Sequence, residues 1–224
     1  MNPINIFLGF LPSILWLNFY LKEDVRPEPK YLVLKIFFLG ILVAFLAIFF
    51  EFYFLKILLS FDISPFLFQI LKFFFIIALV EEFLKFLVVF LFIFNHPEFE
   101  EPVDGMIYMI ISALGFAATE NTLISLSSLN FLQALQLSLL RFLGATFLHA
   151  LCSGIFGFFV SLYYFRTRKK INLLFGLSLS TFLHGFYNFS IISIKDSSLQ
   201  ISFIFFFLFA LFVFASFLFK RLKK

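Results

Sequence analysis

Between Phe73 and Phe94 the chain has eighteen Leu, Ile, Phe or Val residues in 22 positions, and in their midst stand Glu81, Glu82 and Lys85. A charged side chain at the centre of a bilayer helix costs about 2.5–3.5 kcal/mol, so the three together cost roughly 8–10 kcal/mol. The apolar residues offset about 5–11 kcal/mol of this. The segment can therefore insert into a membrane, but only narrowly. Its charges call for partners elsewhere in the chain.

The remaining sequence has the same character. Of 224 residues, 62% are hydrophobic and only 13% are charged, about half the usual soluble share of about 25%. Seven apolar spans can be marked, each near or above the ~20 residues needed to cross: Ile4–Leu21, Tyr31–Leu55, Phe66–Phe94, Val103–Leu126, Phe131–Phe165, Ile171–Ile194 and Leu199–Phe219. The fold expected is an all-α polytopic bundle forming one membrane domain over 1–224, with a motif-bearing core near 66–194. The fifth span is overlong. Its start, Phe131 to Leu140, carries Gln133, Gln136 and Ser138 and reads as an interfacial helix ahead of a crossing over Arg141–Tyr164. The first span is no signal peptide, because no Lys or Arg precedes it and no small-residue cleavage site follows. The lone Cys152 excludes an intrachain disulfide and reads as a small buried residue.

Basic residues set the expected orientation. Lys22, Arg26 and Lys30 follow the first span, Arg166, Arg168, Lys169 and Lys170 follow the fifth, and Lys220, Arg221, Lys223 and Lys224 end the chain. The opposite loops carry only Lys56 and Lys195. Eleven against two places the C-terminus in the cytoplasm and, with seven crossings, the N-terminus outside. The net charge of +4 is thus a matter of topology and not a nucleic-acid footprint.

Three later spans also hold polar residues in apolar surroundings. The fourth has Phe116 followed by Glu120 and Asn121. The fifth has Arg141 and His149. The sixth has His184 and Asn188, one turn apart on one helix face. Each has a structural reading: Glu81 with Lys85 as an i,i+4 ion pair, Glu120 with Arg141 as an interhelical bridge, either histidine as a hydrogen-bonded packing residue. As a set they point to a buried reactive centre, since ionisable residues inside a bilayer face an interior cavity by default.

Carboxylate and neutral imidazole suit Zn²⁺: His149, His184 and Glu81 form the expected ligand set, and which of Glu81 and Glu82 is ligand and which activates water stays open. A metal-free scheme also stands, with Glu activating water and His184 and Asn188 steadying the oxyanion. Both hydrolyse an amide. No nucleophilic Ser arrangement or phosphate loop is evident. Asp104-Gly105 lies at a helix start, where Asp104 is expected to cap. A proton- or ion-coupled transporter, or an inactive binding relative, is the alternative.

Glu81-Glu82-x-x-Lys85, Phe116-x-x-x-Glu120-Asn121, Arg141 with seven residues to His149, and His184-x-x-x-Asn188 occur in this order on successive spans. This pattern resembles the PrsW family of intramembrane proteases, relatives of the CAAX-prenyl-protease and bacteriocin-processing membrane proteins. Lys85 at the third position after the Glu pair, and Asn121 directly after Glu120, favour the PrsW side. Asn188 stands where Asp is also common, which turns position 188 from metal ligation towards an orienting role. The resemblance implies a multi-pass peptidase of the bacterial cytoplasmic membrane, a metalloprotease by family convention, that cuts a membrane-protein substrate. Its family association is the first, extracytoplasmic cut of an anti-sigma factor. It implies Glu81, Glu82 and His184 as essential, His149 and Asn188 as further site residues, and Lys85, Phe116, Glu120, Asn121 and Arg141 as their support.

Overall fold

The computed structural model describes residues 3–22 and 26–223, and among these every regular element is helical. Helices α1 (Pro3–Leu21) and α2 (Lys30–Leu58) match the first two spans. The third span is one rod made of α3 (Pro65–Ile70), a π-helical stretch (Leu71–Ala78) and α4 (Leu79–Phe92). Then come α5 (Asp104–Leu126), α6 (Phe131–Leu143), α7 (Ala145–Ser161) with a π-helical end to Thr167, α8 (Ile171–Ser193) and α9 (Ser197–Leu222). Five stretches are long and apolar enough to cross a membrane: α1, α2, α5, Phe131–Thr167 and α9. The 23-residue α8 also reaches crossing length. The rod from Pro65 to Phe92 is longer still and carries the buried charges.

The overlong fifth span does divide, but at Gly144 and not after Leu140. Arg141 therefore belongs to the last turn of α6 and not to the crossing helix. A Cβ on Gly144 would stand 2.9 Å from both the Leu140 carbonyl and the Tyr187 hydroxyl, so the break is tightly enclosed. A second expectation also changes. Asp104 does not cap α5; its Oδ2 accepts the backbone N–H groups of Glu100 and Glu101, at 2.9 and 2.8 Å, and so ties down the preceding loop.

α5 is the axis of the bundle. Every residue from Asp104 to Thr119 is buried, as expected of a helix apolar on all sides. Small residues let its neighbours approach closely. Gly40 of α2 lies against the Ser112 backbone, Gly115 of α5 against Phe37, and Gly157 of α7 against Gly105. α1 packs on the same axis: Trp16 donates to the Phe142 carbonyl at 2.8 Å and stacks on Phe147. α9 lies outside, with most of its aromatic rings exposed, as lipid-facing surface requires.

The basic segments share one end of the bundle. Arg26 pairs with Glu101 at 2.9 Å, the Tyr31 hydroxyl lies 3.4 Å from His96, Phe99 packs at a tilt against Phe165, and Phe219 stacks on Tyr20. The acidic loop between α4 and α5 thus has a basic partner. At the other end Asn5 bonds Ser128 at 3.3 Å and Ser138 donates to the Leu8 carbonyl at 2.8 Å. Lys224 and the first two residues lie outside the described residues.

A buried candidate active site of carboxylates and imidazoles

The four motif-bearing regions meet inside the bundle, in the half away from the basic end. α4 supplies Glu81, Glu82 and Lys85 in one turn and the next, all at most 2% exposed. The Lys85 ammonium donates to Glu81 Oε2 at 3.2 Å and to Glu82 Oε1 at 2.8 Å. It also lies 4.5 Å from the centre of the Phe116 ring, a cation–π contact from α5. The insertion cost read from the sequence is thus met partly within α4 itself. A π-helical turn directly precedes this segment; such turns often accompany functional sites.

The two histidines are buried and set almost perpendicular, with ring centres 4.9 Å apart. Each has one nitrogen on a carboxylate. His149 Nε2 lies 3.0 Å from Glu120 Oε2, and His184 Nδ1 lies 3.0 Å from Glu82 Oε1. An ionised carboxylate only accepts, which assigns the hydrogens to those two nitrogens. The remaining pair, His149 Nδ1 and His184 Nε2, face Glu81 Oε2 at 3.7 and 3.9 Å. Glu81, His149 and His184 each offer one ligand atom, and the three lie within 4.8 Å of one another. They would hold a cation after a modest contraction towards the 2.0–2.2 Å of zinc–ligand bonds. The carboxylates on the far nitrogens are the outer partners that metal-ligating histidines usually have.

The Glu pair therefore divides. Glu81 faces the common point. Glu82 is engaged on both oxygens: Oε1 by Lys85 and His184, Oε2 by the Ser153 hydroxyl at 2.9 Å. Glu120 pairs with Arg141 at 2.8 Å, as the bridge reading expected, and also holds His149. Asn121 accepts from Arg141 Nε and donates to Thr146 Oγ1 at 2.9 Å, which ties α5, α6 and α7 together at the break. Asn188 is half-buried on α8 one turn beyond His184, and among the described residues no hydrogen bond joins it to the cluster.

Three members were not singled out by sequence. Ser153 lies one turn after His149, at i,i+4, which is a usable signal. Thr146 holds Asn121. Glu51, the acidic residue of α2, is half-buried one turn beyond Ala47, which packs with Leu84 and Phe116, and its only sequence signal is a carboxylate in an apolar helix.

Comparison with known proteins shows the family of the chain. Residues 28–217 match a family described as PrsW family intramembrane metalloprotease. A Protease PrsW of Geobacillus kaustophilus is 35% identical over 184 residues, covering 80% of this chain and 76% of that protein. The Oceanobacillus iheyensis protein of the same name is 34% identical over 182 residues, covering 81% and 80%. That of Bacillus subtilis is 29% identical over 198 residues, covering 84% and 83%. No solved structure matches the chain.

Proposed function

Because the chain belongs to the PrsW family of intramembrane metalloproteases, we propose that the buried cluster is its peptidase centre, with Glu81, His149 and His184 as the residues that would hold a zinc ion. The observation that carries this reading is the convergence of three donor atoms whose two imidazoles are each fixed by a carboxylate behind them. When bound, a divalent ion of this kind polarises a carbonyl and makes water more acidic. The chain's own groups do the rest. Glu82 and Glu120 hold the imidazole tautomers that leave His184 Nε2 and His149 Nδ1 bare. Lys85 offsets the charge of Glu81 and Glu82. Arg141 holds Glu120 in place, and Asn188 orients the peptide.

The substrate is a membrane protein, as for an intramembrane protease in general. We assign the finer class, an anti-sigma factor, on the family resemblance, and a cut towards the extracytoplasmic side on the position of the site. The cluster lies in the half of the bundle remote from the basic segments. The positive-inside rule puts those segments in the cytoplasm of a bacterial cell, and the cluster then lies towards the outer leaflet.

A second reading rests on one distance. The Lys85 ammonium is 2.8 Å from His149 Nδ1, the atom that would ligate. With that lone pair engaged, Glu81 acts as a metal-free base, with His184 fixed beside it by Glu82. One experiment separates the readings. A tagged membrane substrate is co-expressed with the wild-type chain or with His184→Ala, in cells lacking other copies, and purified protein is assayed for metal. Loss of cleavage in the variant, stoichiometric zinc in the wild type, and inhibition by a chelator with recovery on added Zn²⁺ support the metal reading. Chelator-resistant cleavage selects the metal-free one, and cleavage that survives His184→Ala rejects both.

A further inference from the structure

The rod that carries Glu81 and Glu82 and the helix that carries His184 lie side by side and antiparallel. Phe66 meets the Phe189 ring edge to face with centres 6.2 Å apart, and further along Phe74 lies 5.9 Å from Phe182. The two helices touch at Gly185, where a Cβ would stand 2.8 Å from the Phe74 ring and 3.1 Å from the Phe73 carbonyl oxygen. Beside this contact they leave a groove of about 610 Å³. Phe74, Phe75 and Leu79 line it from the rod, and Leu174, Ser178 and Thr181 from α8. Its rim is open to the bilayer, since Phe75 and Leu174 are 58% and 59% exposed. The volume is that of a ligand site. Phe74 and Phe75 belong to the π-helical stretch, a distortion that often accompanies function.

Both walls of the groove run into the site. Leu79 precedes Glu81 and Glu82 by two and three residues. On α8, Leu177, Thr181, His184 and Asn188 follow one another at helical spacing along one face, so Thr181 stands one turn before His184. Thr181 is also unusual in itself. A Thr inside a helix commonly bonds the carbonyl one turn back, as Thr122 does to Ala118 at 2.7 Å. The Thr181 hydroxyl does not: its oxygen is buried and has no hydrogen-bond partner among the described residues. Hydrocarbon cannot satisfy such a group. It marks the place where an acceptor from outside the chain would sit.

We propose that the groove between the rod and α8 docks the transmembrane segment of the substrate, with apolar side chains between the two helices and a backbone carbonyl on the Thr181 hydroxyl; this rests on the peptidase reading above. Two features select a peptide over a lipid chain. Lipid tails are as apolar as Leu, so an apolar groove alone gives a protein segment no advantage over lipid. A hydrogen bond does, and the hydrocarbon of an acyl chain has no acceptor for it. The second feature is the state of the substrate. The peptide groups of a membrane helix are closed by their own i→i−4 hydrogen bonds, so cleavage requires local unwinding. A carbonyl freed in this way needs a donor, and Thr181 supplies one a single turn from His184.

The test uses the full chain in vesicles of phosphatidylethanolamine and phosphatidylglycerol, with a biotinylated single-span Leu/Ala peptide of ~20 residues as the probe. Photoreactive benzoylphenylalanine replaces Phe75, Leu174 or, as a control on the exposed side of α9, Phe205. Biotin is expected on the chain from positions 75 and 174 and not from 205, and excess unlabelled peptide should remove it. Equal labelling from all three, or attachment of phospholipid alone at 75 and 174, overturns the proposal. In cleavage of a tagged membrane substrate, Ser178→Trp should fill the groove and raise KM about tenfold, as loss of one packed anchor would. Its kcat and bound metal should match wild type. Leu174→Trp makes the same block from the rim if Ser178→Trp does not fold. Thr181→Val, which keeps the shape and removes the hydroxyl, should raise KM about threefold, the usual worth of a hydrogen bond between membrane helices. Unchanged KM in the Trp and Val variants overturns the groove and leaves the peptidase reading intact. A chain that is labelled from 75 and 174 but cleaves nothing rejects the peptidase reading and keeps the groove as a docking site for a membrane segment.

Discussion

Two buried polar clusters lie in this bundle, and they behave differently. At the basic end, Tyr108 donates to Glu28, Asp104 gathers the N–H groups of Glu100 and Glu101, and Arg26 holds Glu101. Each carboxylate there meets its own donor, and the result is a clamp between the segment before α2, α5 and the loop before α5. In the other cluster, one ammonium serves Glu81, Glu82 and His149 Nδ1 at once, and Glu81, His149 and His184 bring three ligand-type atoms within 4.8 Å of one another. Glu28, Asp104 and Tyr108 of the first cluster are buried, as are Glu81, Glu82, Lys85 and the two histidines of the second. What distinguishes the candidate site from the structural cluster is convergence of ligand-type atoms on one point, not burial.

The largest expected effect tests that convergence directly. Glu81→Ala should abolish cleavage, by at least about 10²–10⁴-fold, in a gel assay of a tagged substrate. Glu28→Gln in the other cluster should leave cleavage within about twofold while lowering the thermal midpoint, because it leaves the buried Tyr108 with a weaker partner. Equal loss of cleavage in both variants would erase the distinction.

Lys85→Met should be the most destabilising substitution, about 3–5 kcal/mol, since it leaves two buried carboxylates without their cation. Thermal unfolding in detergent measures it. The paired variant Lys85→Met with Glu82→Gln should recover part of the loss. No recovery would mean that Lys85 acts through packing alone.

Smaller effects are expected from the groups behind the histidines. Ser153→Ala and Glu120→Gln should each reduce metal affinity or activity about 10–100-fold, the usual worth of such partners. Titration of metal into the metal-depleted protein reads this out.

The smallest effect lies outside both clusters. Asp196 precedes α9 and accepts from the Ser198 hydroxyl at 2.6 Å and the Leu199 N–H at 2.9 Å. These hydrogen bonds, Ser198 first, hold its carboxyl below the ordinary Asp range. A lowered folded-state value means the cap contributes above the unfolded-state pKa and fades as pH falls through the folded one. Asp196→Ala should therefore lower the midpoint slightly at neutral pH and not at strongly acidic pH, with cleavage unaffected.

Much of this was legible in the residues. The span limits agree with the helices to within a few positions, because apolar run length fixes where a chain can cross. The polar positions Glu81, Glu82, Lys85, Glu120, His149 and His184 stood out, because each is costly inside a bilayer. Gly144 was less visible: a break inside a 37-residue apolar stretch changes neither its length nor its hydropathy. Glu51 escaped for a related reason. α2 is apolar on every side, so its periodicity does not mark which face turns inward.

Sequence alone settled that this chain is a membrane helix bundle and which side chains needed a reason to be there, since the cost of a charge in hydrocarbon depends on residue type and position along a span. It could not say how those side chains pair. Glu81 and Glu82 are chemically identical neighbours, yet successive residues on a helix point about 100° apart. Only the packing of α4 against α5, α7 and α8 turned one to the histidine nitrogens and the other to Ser153 and the back of His184.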